Sequence, residues 1–80
     1  MEDLNLEKMK VFEKAANFVR ENYDKLVKLY DGKFIAVLED KVVEEDEEIE
    51  KLLEKLRKKG INPTETFIEY ITRRRSAMIV

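Results

Sequence analysis

The chain contains no cysteine, no histidine, no tryptophan and no glutamine, and its 80 residues include only two glycines and one proline. Each absence removes a class of chemistry. Without cysteine there is neither a disulfide nor a thiolate metal site. Without histidine the commonest general base, nucleophile activator and transition-metal ligand is missing. Ser76 is the only serine and has no histidine to activate it. Two glycines, each placed to end a helix, leave none for a phosphate-cradling loop. No apolar run reaches the length of a membrane span, and Met1-Glu2-Asp3 lacks the basic start of a signal peptide. The expectation is a cytoplasmic, non-catalytic protein with no cofactor, no metal and no membrane contact.

What is present is enough to fold. Hydrophobic residues make up 44% of the chain and charged residues 42%, a balance that argues against disorder. At this length there is room for one domain, residues 1–80, with a core that is marginal for its size. Abundant Lys and Glu with few oxidisable or deamidating residues is the habit of hyperthermophile proteins, so a thermophilic source is expected. The net charge of −2 is unevenly placed. Residues 1–50 carry fifteen acids and eight bases, a net of −7, whereas residues 51–80 carry eight bases and three acids, a net of +5.

From Leu4 to Tyr30 the apolar spacing is helical. Met9, Phe12, Ala16, Val19, Tyr23, Leu26 and Tyr30 form one stripe, which Val11, Ala15, Phe18, Val27 and Leu29 widen. Asn5 or Asp3 can cap its start, and Asp31-Gly32 ends it. Phe34–Leu38 and Lys41–Glu45, separated only by Glu39-Asp40, read as a hairpin without the usual Asn-Gly or Asp-Gly turn. Asp46 is placed to cap a second helix, with Glu47 and Glu48 in its first turn and Ile49, Leu52, Leu53 and Leu56 on its buried face. Gly60 falls where a left-handed residue closes a Schellman ending, with Ile61 folded onto Leu56. After Asn62-Pro63, Thr66–Ile71 reads as a third strand, Thr72–Ser76 as a hairpin tip and Ala77–Val80 as a fourth strand.

Tyr30-Asp31-Gly32-Lys33-Phe34-Ile35-Ala36-Val37, followed by Lys41-Val42-Val43 and a helix ending at Gly60, resembles a family of small prokaryotic, largely archaeal, domains of unknown function. The likeness covers residues 22–80 and leaves 1–21 as an N-terminal helical extension. It departs where Glu39-Asp40 stands in place of Asp-Gly. The resemblance implies a fold and no activity.

The fold expected is α+β in the order α-β-β-α-β-β. Its four strands form an antiparallel sheet of order 2-1-3-4, with both helices on one face. Three surface features bear on function. The acidic run of Glu44, Glu45, Asp46, Glu47, Glu48 and Glu50 offers hard oxygen ligands, but it lacks the spacing and glycine of a calcium loop and fits a helix N-terminus gathering anions. Arg73, Arg74 and Arg75 can grip phosphates, with Phe67 or Tyr70 stacking on bases and Lys55, Lys58 and Lys59 extending the patch. The competing reading has them answer the acidic helix start and Glu69, or protect a strand edge. The aromatics are otherwise expected in the core.

The third feature is the length of the first helix. Twenty-five continuous residues from Leu6 to Tyr30 span about 37 Å, more than the roughly 30 Å diameter of an 80-residue domain. A straight helix would overhang, and Met9, Phe12 and Phe18 would then meet a second copy in a symmetric homodimer. The rival is a break near Glu21-Asn22 that folds the N-terminal half over its own domain. A protein-interaction or assembly module ranks first among functions, acting as a homodimer or on another protein. Nucleic-acid binding through the arginine tip is the alternative.

The composition carries a thermal prediction. The midpoint followed by circular dichroism should lie above the roughly 45–65 °C of mesophilic domains. A midpoint near 50 °C would count against the thermophilic reading.

Overall fold

The computed structural model describes the backbone of residues 2–73 and the side chains of residues 12–73. Along that span run α1 (Glu2–Glu21), α2 (Tyr23–Tyr30), β1 (Lys33–Leu38), β2 (Lys41–Asp46), α3 (Ile49–Lys58), a 3₁₀ turn (Pro63–Glu65) and β3 (Phe67–Ile71). The strands form an antiparallel sheet of order β2-β1-β3. That order matches the first three strands of the expected sheet. The expected fourth strand, Ala77–Val80, lies outside the described residues.

The helices do not share a face. Ile35 and Val37 of β1 pack with Ile71 against Ala15 and Val19 of α1 and Leu26 of α2. Ala36, between them in sequence, packs against Leu52 and Leu56 of α3. Alternate residues of a strand point to opposite faces, so α1 and α2 cover one side of the sheet and α3 the other. The molecule has three layers, and the expectation of both helices on one face is overturned. The physical reason lies in Phe34–Leu38, which is apolar on both faces and needs two covers.

A break at Asn22 makes three α-helices where two were expected. Asn22 sits at φ −112° and ψ 16°, off the helical backbone. Its backbone N–H and its side-chain Nδ2 both donate to the carbonyl of Phe18, at 3.0 and 2.9 Å. A side chain that bonds back to residue i−4 competes with the helical ladder and bends it. The helix resumes at once, with the Leu26 N–H bonded to the Asn22 carbonyl at 2.9 Å. The chain thus divides into α1 and α2 in place of one continuous 25-residue helix, and Val19 and Leu26 both pack into the cluster on this face of the sheet.

The end of α3 follows the sequence closely. α3 closes with Ile61 N–H on the Leu56 carbonyl at 2.9 Å and Gly60 N–H on the Arg57 carbonyl at 3.0 Å, the paired bonds of a Schellman motif. Gly60 has φ +78°. The start of α3 differs from expectation, because Asp46 stays in β2 and the helix begins at Ile49, beyond Glu47 and Glu48. Asp46 Oδ1 still accepts the Glu48 N–H, at 2.9 Å.

In the β1–β2 turn, Glu39 takes φ 58°, a conformation that glycine adopts freely and a Cβ-bearing residue does not. Gly60→Ala and Glu39→Gly should therefore shift stability in opposite directions. The first should cost about 1 kcal/mol although an added Cβ meets no neighbour. The second should gain about 0.5–1 kcal/mol as relief of the strained backbone exceeds the added freedom of the unfolded chain. Urea unfolding of both variants checks the two signs.

Candidate functional site

The acidic run has been turned inward by an irregularity in the hairpin. Val37 pairs with Val42, but Ala36 pairs with Glu44, so Val43 is an extra residue in β2. A one-residue shift moves every following side chain to the other face. Glu44 and Asp46 therefore stand on the α3 side, and Glu45 on the side of α1 and α2. Lys59 Nζ lies 3.2 Å from Glu44 Oε2, and Lys55 Nζ 2.9 Å from Asp46 Oδ2. Lys33 Nζ meets Glu45 Oε1 at 3.2 Å across the strand pair. The same two lysines, Lys55 in α3 and Lys59 at its C-cap, donate to backbone carbonyls of β2, Lys55 to Glu45 at 3.0 Å and Lys59 to Val43 at 2.9 Å.

These contacts set the protonation of the cluster. Partial burial alone would raise the Glu44 carboxyl, but the Glu45 N–H and the Lys59 ammonium outweigh it and hold the group below its ordinary 4.5. Asp46 is held below 3.8, first by the Glu48 N–H and then by Lys55. Lys55 is correspondingly raised by its bond to Asp46. Among the described residues no three carboxylates converge into a set that could hold a metal ion. Lys55 and Lys59, expected with Lys58 to extend a basic patch, both pair with carboxylates of β2.

The arginine tip is described only at Arg73; Arg74 and Arg75 lie outside the described residues. The Arg73 N–H donates to Asp31 Oδ1 at 3.0 Å, and its Nε lies 3.9 Å from Asp31 Oδ2. The guanidinium is exposed and lines a shallow cleft with Asp24 and Lys28. Beside it the Tyr23 hydroxyl donates to the Thr72 carbonyl at 3.0 Å and accepts the Thr72 N–H at 3.1 Å. The aromatics proposed to stack on bases are engaged with their own fold. Phe67 packs on the core, and the Tyr70 ring lies 4.9 Å from that of Phe34.

Of the three residues assigned to self-association, the side chain of Met9 lies outside the described residues. Phe12 is half-buried, and Phe18 packs against the core of its own domain. The overhang that singled them out required a continuous helix, which the Asn22 break removes.

A different surface emerges at the bend. Phe18, Leu26, Leu29, Tyr30 and Val42 line an open groove between the α1–α2 junction and the β1–β2 turn. Leu29 is 68% exposed, the most open of the large hydrophobic side chains described. Lys25 stands on the α2 wall, and Asp40 and Lys41 on the hairpin wall. Leu29 was legible only as an excess apolar residue widening the helical stripe. The groove needs the hairpin opposite, which no helical pattern reveals.

A family model described as a family of unknown function (DUF5678) matches residues 25–73. No curated protein and no solved structure matches. No helix among the described residues is long and apolar enough to cross a membrane.

The lysine-held carboxylates predict an acid response. A folded-state value below the unfolded one contributes stability that is fully present above the ordinary carboxyl range and is lost as pH falls through the folded value. A Glu44→Gln, Asp46→Asn variant should lose part of the wild type's stability at neutral pH. It should also show a shallower decline over about pH 5 to 2 in urea titrations. Parallel curves for the two proteins would show that the pairs contribute nothing.

Proposed function

Because this chain belongs to the DUF5678 family of unknown function, we propose its role from its own surface: a non-catalytic protein-interaction module that binds a partner protein through the groove between α2 and the β1–β2 turn. One observation carries the reading, the 68% exposure of Leu29 beside Phe18, Leu26, Tyr30 and Val42. Apolar surface left in water costs about 25 cal/mol per Å², and here the exposed Leu29 adjoins the half-buried Phe18, Tyr30 and Val42 in a concave setting. The carboxylates support a non-catalytic role. Glu44 and Asp46 are held ionised by backbone N–H groups and by lysines, which favours acceptors in a lattice over proton donors at neutral pH.

The nucleic-acid reading draws on Arg73 and Lys28 sharing a cleft. Asp24 lines that cleft as well, and Asp31 pairs with Arg73, so the field there is mixed in sign.

Capture from extracts of the source organism on immobilised wild-type protein and on Leu29→Glu separates these readings. The interaction reading expects proteins retained by the wild type and lost from the variant, with the circular dichroism of the two unchanged. Equal retention by both would overturn it. Retention of nucleic acid that falls steeply with salt, and disappears in an Arg73, Arg74, Arg75→Ala variant, would establish the alternative.

A further inference from the structure

We infer that the side chains of Glu44, Lys55 and Lys59 form a lock on the outer edge of β2, which holds that edge closed to the same strand of a second copy of this chain. The lock stands apart from the groove and does not depend on the reading of the groove as a docking face.

An edge strand turns a row of backbone N–H and C=O groups to solvent, and another extended chain can pair with them. Among the described residues β2 is such an edge, bonded to β1 along one side. In an antiparallel ladder the N–H and C=O of one residue point the same way. Both of these groups on Glu45 are met by side chains. Its N–H donates to Glu44 Oε1 at 3.1 Å, and its carbonyl accepts from Lys55 Nζ at 3.0 Å. The Val43 carbonyl accepts from Lys59 Nζ at 2.9 Å. Groups that a docking strand would need are therefore already bonded.

The two lysines are themselves anchored. Glu44 Oε2 lies 3.2 Å from Lys59 Nζ and Asp46 Oδ2 lies 2.9 Å from Lys55 Nζ, so each ammonium is shared between a carboxylate and a carbonyl. The spacing matches on both sides. Four residues of helix rise about 6 Å, and two residues of strand about 6.6 Å. α3 returns along β2, which puts Lys55 on residues 45 and 46 and Lys59 on residues 43 and 44. The extra residue at Val43 adds a bulge, a second common guard of an edge. Without the lock the edge matches itself. In a two-fold antiparallel pair centred on Glu44, the Val43 carbonyl of each copy faces the Glu45 N–H of the other. The two Glu44 side chains then stand opposite each other, where ionised carboxylates repel.

The test removes the lock and the repulsion together. The variant Glu44→Cys, Asp46→Asn, Lys55→Met, Lys59→Met loses two acids and two bases, so the net charge stays at −2. Methionine keeps the apolar stem of each lysine. The control, Glu44→Cys, Asp46→Asn, retains both lysines on their carbonyls. Multi-angle light scattering under reducing conditions, from micromolar to millimolar concentration, should show the mass of the four-site variant at least doubling relative to the wild type. Its circular dichroism should be unchanged, and the control should keep the wild-type mass. On oxidation the introduced cysteines, the only ones in the chain, should link the four-site variant into a disulfide dimer and leave the control unlinked. A folded four-site variant of wild-type mass at millimolar concentration would overturn the inference. So would equal association of the control, which assigns the effect to lost stability, and association without the disulfide, which places the contact elsewhere. If the four-site variant does not fold, hydrogen exchange decides. In Glu44→Ala the Glu45 amide should exchange several-fold faster than in the wild type while the amides of β1 keep their rates, and equal exchange at Glu45 would overturn the lock.

Discussion

Ile35, Ala36 and Val37 of β1 are wholly buried, with β2 bonded along one side of the strand and β3 along the other. A strand with apolar side chains on both faces cannot lie at a surface, so it must be central and must be covered twice. With 80 residues available, each cover is thin. α1 and α2 supply Ala15, Val19 and Leu26 on one face, and α3 supplies Leu52 and Leu56 on the other. The remaining architecture of the described residues is an answer to that demand.

The cover formed by α1 and α2 is held at its bend and at its far end. Asn22 turns the chain by taking the Phe18 carbonyl with two donors. Tyr23, the first residue of α2, then pins its hydroxyl to both backbone groups of Thr72, just beyond β3. At the other end of α2, Gly32 takes φ +82° and donates its N–H to the Ile71 carbonyl at 2.8 Å, while Asp31 accepts the Arg73 N–H. α2 is thereby tied to the end of β3 at both of its own ends. It has little freedom to rotate Leu29 inward, and the exposed leucine follows from those ties.

The α3 cover depends on charge placed by a bulge. The extra residue Val43 directs Glu44 and Asp46 toward Lys59 and Lys55, one helical turn apart. Such partly exposed pairs are individually worth little, about 0–1 kcal/mol. Their second contribution is geometric, because the lysines also satisfy carbonyls on an edge strand. A cluster that reads in sequence as a patch of repelling acid becomes, in the fold, a seam between strand and helix.

What the sequence settles by itself is local. The Schellman ending at Gly60-Ile61, the stop at Asp31-Gly32 and the β1–β2 hairpin all rest on contacts between near neighbours or on patterns of fixed period. The run Phe34–Leu38 also carried the information that β1 is covered on both sides, since its apolar residues do not alternate with polar ones. The rest was decided by contacts distant in sequence. Asn22 could end a helix or lie on its surface, and the structure breaks the helix there, with Tyr23 just beyond the break bonded to Thr72 forty-nine residues away. The alternation of β2 predicts Glu44 on the face where Glu45 stands, until the bulge shifts the register by one. Leu29 looks like one more core residue on a wide stripe, and only the placing of α2 against the hairpin leaves it in water. Helical and strand periods state which side chains share a face, but which face meets another element is fixed by tertiary packing.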